Sequence, residues 1–120
     1  MARILAVDDS MAMRNLVKGI LTGEGYEVLT AVDGADAMKV ARKESVDLVL
    51  SDVNMPNMSG ISLVTRLRSL DNYKFTPIIM VTTEGSDFKK DKARSFGATG
   101  WLQKPFTPER LLGAVKKVLG

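Results

Sequence analysis

The 120-residue sequence contains neither cysteine nor histidine. Without cysteine there are no disulfides and no thiolate metal sites, a usage that suits the cytoplasm. Without histidine there is no His-based triad, no imidazole-ligated zinc and no histidine general base. Chemistry therefore falls to carboxylates, hydroxyls, lysines or a bound cation. No apolar run approaches the ~20 residues that cross a bilayer. The N-terminus runs straight into Arg3-Ile4-Leu5-Ala6-Val7-Asp8 with no signal-peptide layout. Membrane insertion is not expected. Strong charge imbalance is missing too, with 17 Lys and Arg against 14 Asp and Glu and a net charge of +3. The densest basic group, Lys89, Lys90, Lys92 and Arg94, is interspersed with Asp87 and Asp91. It reads first as a solvated helix face and second as a partner-docking face. No DNA or RNA motif accompanies it, so nucleic acid is not an expected partner.

What is present is an ordinary globular composition, 45% apolar and 26% charged, at a length that suits one domain over residues 1–120. Hydrophobic periodicity alternates between two kinds of segment. Short apolar runs predict buried strands at Ile4–Val7, Val28–Ala31, Leu48–Leu50, Ile78–Val81 and Thr99–Leu102. Between them, helical stripes run through Met13, Leu16, Val17, Ile20 and Leu21, through Ala37, Met38 and Ala41, and through Leu63, Val64 and Leu67. The last stripe is Leu111, Leu112, Val115, Val118 and Leu119. It is introduced by Thr107-Pro108-Glu109 as cap, first-position proline and first-turn acid. Gly25, Gly97 and Gly100 punctuate helix ends and turns. Segment Ser86–Phe96 offers a core only Phe88, Ala93 and Phe96, so a loosely held, mobile helix is expected there. Five strand–helix pairs in alternation predict an α/β fold, a doubly wound parallel sheet with helices on both faces. No linker, repeat or attached output module is expected.

Ligands of such sheets bind beyond the carboxyl ends of the strands, where strand order reverses. Those ends supply Asp8 and Asp9, then Ser51 and Asp52, then Thr82 and Thr83, then Lys104 and Pro105. Each has a plain explanation alone: Asp9 or Ser10 as a helix cap, Asp52 as a loop acid, Thr82 as a capped turn, Lys104 as an exposed lysine. Four strand ends supplying reactive groups together point to a site. Two carboxylates ~5 Å apart repel by roughly 3 kcal/mol at an effective dielectric of 20. Three clustered acids raise a pKa or bind a cation, and Lys104 offsets one charge. A hard divalent ion with oxygen ligands resolves the rest. Magnesium fits a site with few protein ligands, with manganese as a substitute.

Asp8-Asp9 after the first strand, Asp52-Val53-Asn54-Met55-Pro56-Asn57-Met58-Ser59-Gly60 after the third, Thr82 after the fourth and Lys104-Pro105-Phe106 after the fifth resemble the receiver domain of bacterial response regulators. The resemblance covers essentially the whole chain and is nearest to single-domain chemotaxis regulators of the CheY type. It implies a flavodoxin-like sheet of order 2-1-3-4-5. It implies that Asp52 is the phosphoacceptor, with a phosphohistidine on a histidine kinase as donor. Asp9, the Asp52 carboxylate and the Asn54 backbone carbonyl would hold magnesium directly, and Asp8 through a bound water. Lys104 would pair with phosphoryl oxygens, and its peptide to Pro105 would be cis. The Thr82 hydroxyl would hydrogen-bond the phosphoryl group and couple to an aromatic on the fifth strand, here Trp101 in place of the usual tyrosine, phenylalanine or histidine. Asn54 and Glu84 would tune the lifetime of the phosphoryl group. The signal would pass by protein contact through Ser86–Phe96, the fifth strand and the fifth helix. A flagellar motor switch protein or another chemotaxis component would read it, a phosphatase is a further partner, and a cytoplasmic monomer is expected. The chain would be a signalling protein that assists its own phosphorylation and dephosphorylation rather than an enzyme.

Three other readings fit less well. A haloacid-dehalogenase-like phosphatase needs a second acid two residues after the nucleophile, where Asn54 stands, and a cap that 120 residues do not hold. A flavin carrier needs a hydroxyl- and glycine-rich phosphate loop where Asp8-Asp9-Ser10-Met11-Ala12 would repel phosphate. A passive adaptor sits poorly with a complete pocket.

Overall fold

The computed structural model describes residues 2–83 and 94–120. Five strands form one parallel sheet: β1 (Arg3–Val7), β2 (Glu27–Ala31), β3 (Leu48–Ser51), β4 (Ile78–Thr82) and β5 (Gly100–Gln103). Their order is β2-β1-β3-β4-β5, the doubly wound arrangement expected. Four α-helices lie among the described residues: α1 (Met11–Gly23), α2 (Gly34–Lys43), α3 (Gly60–Arg68) and α4 (Pro108–Leu119). Successive strand side chains alternate faces, so Leu5 and Val7 of β1 join α2 and α3 in one core, around Ala37, Met38, Leu63 and Leu67. Ile4 and Ala6 join α1 and α4 in the other, around Val17, Leu21, Leu111 and Val115. Both faces are covered, which is why the central strands read as unbroken apolar runs.

The helix starts follow their caps. Ser10, Asp33, Ser59 and Thr107 each accept a hydrogen bond from a backbone N–H of the first turn. Ser10, not Asp9, caps α1. Gly25 and Gly97 carry positive φ as turn residues, whereas Gly100 begins β5 rather than a turn. Leu16 departs from its stripe and is 48% exposed. It falls between the buried Val17 and Leu21 and the outer side of α1, where a stripe read at 3.6 residues is broader than the face the sheet covers. Phe96, offered to the core by its spacing, is 43% exposed. The rest of the helix expected at Ser86–Phe96, residues 86–93, lies outside the described residues. No described helix is long and apolar enough to cross a membrane.

Candidate functional site

β1 and β3 are central neighbours, and their last rung pairs Val7 with Ser51. The next residue on each is an aspartate, Asp8 and Asp52. The chain after β1 turns into α1, which brings Asp9 to the same edge. The carboxylates of Asp8, Asp9 and Asp52 lie within 4.8 Å of one another. Asp8 is buried, Asp52 half-buried and Asp9 exposed.

Asp8 and Asp52 are each oriented by their own turn and by Lys104. Asp8 Oδ1 accepts the Ser10 N–H at 2.9 Å, and Asp8 Oδ2 meets Lys104 Nζ at 2.7 Å. Asp52 Oδ1 accepts the Val53 N–H at 2.8 Å, while its Oδ2 lies 3.5 Å from Lys104 Nζ. Burial holds the Asp52 carboxyl above the usual carboxylate range. Lys104 opposes that shift, Asp8 adds to it, and backbone N–H groups of Val53 and Asn54 oppose it. One lysine thus serves two acids, and the third faces solvent.

Thr82, at the end of β4, is fully buried, and its carbonyl accepts the Lys104 N–H at 2.7 Å. That bond places Lys104 above the pocket, and the Lys104–Pro105 peptide is cis as expected. The Asn54 side chain is exposed beside the pocket. Trp101 is half-buried and packs against the core under α2 and α3. Glu84 lies outside the described residues.

Three further contacts brace the acidic edge, and of their residues Arg14 alone left no signal in the sequence pattern. Arg14 Nη1 donates to the Asp8 carbonyl at 2.8 Å, bracing the acidic turn from α1. The buried Ser51 hydroxyl donates to the Asp52 carbonyl at 2.9 Å. Gly60 packs so closely that a Cβ there would sit 2.1 Å from the Asp52 carbonyl oxygen and 2.9 Å from Val53 Cα. A glycine opening a helix after a proline-bearing loop is the one sequence clue to that approach.

The arrangement suits a small hard cation. Among the described residues three carboxylates share one edge with a single ammonium, so net negative charge remains there for a divalent ion with oxygen ligands to neutralise. The same edge offers an oxygen nucleophile beside a fixed cation, the elements of phosphoryl acceptance.

A family model described as response regulator receiver domain matches residues 4–116. A chemotaxis protein CheY homolog of Campylobacter jejuni is 41% identical over 120 residues, spanning 98% of this chain and 92% of that one. Protein PilG of Pseudomonas aeruginosa is 32% identical over 114 residues, spanning 95% and 84%. The solved structure of Vibrio cholerae chemotaxis protein CheY4 superposes with a TM-score of 0.96 at 51% identity, covering 98% of both chains.

Proposed function

We propose that this chain, which belongs to the response regulator receiver domain family, is a phosphorylation-activated signalling switch whose phosphoacceptor is Asp52. The observation that carries the reading is the position of Asp52. It is half-buried, with one oxygen fixed by the Val53 N–H and the other 3.5 Å from an ammonium that also binds Asp8. A carboxylate kept reactive by partial desolvation and aimed at a fixed cation is prepared to attack phosphorus.

In the proposed reaction the donor is a phosphohistidine on a histidine kinase. An Asp52 oxygen bonds to phosphorus, the P–N bond breaks with its electron pair passing to the imidazole, and the imidazole takes up a proton. The product is an acyl phosphate. Lys104 follows the phosphoryl oxygens with its ammonium, and the Thr82 hydroxyl donates to them. Asp8, Asp9, Asp52 and the Asn54 backbone carbonyl would hold magnesium, or manganese in its place. When bound, the ion neutralises charge between the carboxylates and the phosphoryl oxygens. Asn54 and Glu84 orient the water that later removes the phosphoryl group, so the chain assists its own resetting without turning over a separate substrate.

Phosphorylation then shifts a two-state equilibrium that a partner reads by contact. Supporting a readout face beside β5 is an open groove lined by Arg94, Trp101, Ala114, Lys117 and Val118. Trp101 is proposed as the switch aromatic coupled to Thr82. The names CheY and PilG borne by relatives support a cytoplasmic role in chemotaxis-type two-component signalling, with a flagellar motor switch or another chemotaxis protein as reader. A phosphatase acts on the same acyl phosphate, the chain works as a monomer, and nucleic acid takes no part.

The test is incubation with magnesium and acetyl phosphate, followed by intact mass. Wild type is expected to gain one phosphoryl group and Asp52→Ala none. No gain in wild type, or a gain that persists in the variant, overturns the reading.

A further inference from the structure

β5 is an edge strand of four residues, and Leu102 is its one buried side chain. So short a buried face specifies register weakly. Yet Lys104, just past its end, arrives within reach of both Asp8 and Asp52. A slip of two residues would keep every side chain on its own face while carrying Lys104 about 6.6 Å along the sheet. The ion pairs would be lost.

Contacts at the start of the strand oppose that slip. The Thr99 N–H donates to the Ile78 carbonyl at 2.7 Å, and the Thr99 hydroxyl accepts the Ile78 N–H at 3.0 Å. Two residues earlier, the Gly97 carbonyl accepts from Arg68 Nε at 3.2 Å and Nη2 at 2.8 Å. The same guanidinium donates through Nη1 to the carbonyls of Tyr73 at 2.7 Å and Thr76 at 2.6 Å. Arg68 ends α3, so its fork joins that helix, the turn before β4 and the chain leading into β5. A guanidinium spent on three backbone carbonyls acts as a crosslink rather than a surface charge. Gly97 is shaped to it. Its φ of +105° disfavours a side chain, and a Cβ there would come 3.3 Å from both Cγ and Nε of Arg68.

We propose that Arg68 is a positioning residue for Lys104: by clamping the Gly97 carbonyl it fixes the register of β5, and so delivers the lysine to Asp8 and Asp52 from the far end of the strand. The proposal deepens the phosphoacceptor reading and rests on it. Arg68 touches none of the acids, so its effect passes through Lys104.

The test is a double-mutant cycle on the rate of phosphoryl uptake from acetyl phosphate with magnesium. It compares wild type, Arg68→Ala, Lys104→Met and the double variant, at a temperature where urea melts show each fully folded. Misplacing a reacting group by an ångström costs up to about 100-fold, so Arg68→Ala is expected to slow uptake about tenfold or more. The double variant should be no slower than Lys104→Met alone. A wild-type rate in Arg68→Ala, or losses that multiply in the double variant, overturns the proposal. If Arg68→Ala fails to fold, Arg68→Lys and Gly97→Ala disturb the clamp from its two sides and are measured in the same way.

Hydrogen exchange of the Lys104 amide, which donates to the Thr82 carbonyl, reads the register without phosphorylation. Relative to the Leu5 amide it should exchange about tenfold faster in Arg68→Ala, and an unchanged ratio counts against the clamp. If wild type takes up no phosphoryl group, the phosphoacceptor reading fails, and the exchange ratio still judges the clamp.

Discussion

Replacing Lys104 by methionine keeps most of the side-chain stem and removes the ammonium, which isolates the charge balance of the pocket. Lys104 Nζ lies 2.7 Å from Asp8 and 3.5 Å from Asp52, with the three side chains 9–13% exposed. At an effective dielectric of 20 these separations correspond to attractions of about 6 and 5 kcal/mol. Each pair of carboxylates within 4.8 Å repels by at least about 3.5 kcal/mol on the same scale. Desolvation of the three groups consumes much of the gross attraction, and removing one member of a buried pair costs roughly 3–5 kcal/mol. Lys104→Met is therefore expected to lose about 3 kcal/mol in EDTA at pH 7, moving the urea midpoint down by about 1 M or more. Magnesium should stabilise this variant more than wild type, because no other cation among the described residues then pairs with the acids. Asp52→Asn removes an acid whose ionisation burial already disfavours, so it should raise stability in wild type and restore part of the loss in Lys104→Met. Urea unfolding followed by far-UV circular dichroism measures all four. A Lys104→Met loss under about 1 kcal/mol in EDTA, or a double variant less stable than Lys104→Met, would refute this accounting.

The raised Asp52 pKa has a pH signature. The folded chain binds that proton more tightly than the unfolded chain, so the associated stability is present below the ordinary value of 3.8 and is lost as pH rises through the raised folded value. Thermal melts in EDTA should show wild type losing stability relative to Asp52→Asn as pH rises from about 4 to 7, and a flat or rising difference contradicts the cause assigned. Gly60→Ala forces a Cβ to within 2.1 Å of the Asp52 carbonyl oxygen. Both close backbone neighbours are fixed, so a loss of about 3 kcal/mol in urea unfolding is expected, and a loss under about 1 kcal/mol would mean that the loop yields. Tyr73 is 1% exposed and its hydroxyl donates to the Glu44 carbonyl. Tyr73→Phe should cost about 1 kcal/mol with phosphoryl uptake unchanged, and altered uptake would reveal an unexpected tie to the pocket.

Much of this molecule is legible in its sequence because burial on both sheet faces writes the strands as continuous apolar runs, while Thr107-Pro108 and the other caps mark where helices begin. Asp8, Asp9, Asp52 and Lys104 are legible as a group because strand ends in this fold share one edge. Leu16 misleads because helical spacing counts apolar residues without measuring how wide a stripe the sheet covers. Arg14 and Arg68 escape because each acts on a backbone carbonyl. Such bonds depend on where the chain returns in space, and no periodicity encodes them. The burial that raises Asp52 is likewise a property of assembled neighbours rather than of its residue type.

The shared rung between Val7 and Ser51 sets a gauge for the pocket. Asp8 and Asp52 each stand one peptide beyond it, so their spacing is inherited from the roughly 4.8 Å at which hydrogen bonding holds neighbouring strands. That interval is common to every sheet and nearly insensitive to which apolar residues fill the core. Repacking α1 or α3 therefore leaves the bite of the two acids unchanged, and selection among cations or rates has to act on the turns above them. A chelator whose jaw width is fixed by the peptide unit itself is hard to detune by drift in the interior, and correspondingly hard to re-engineer there.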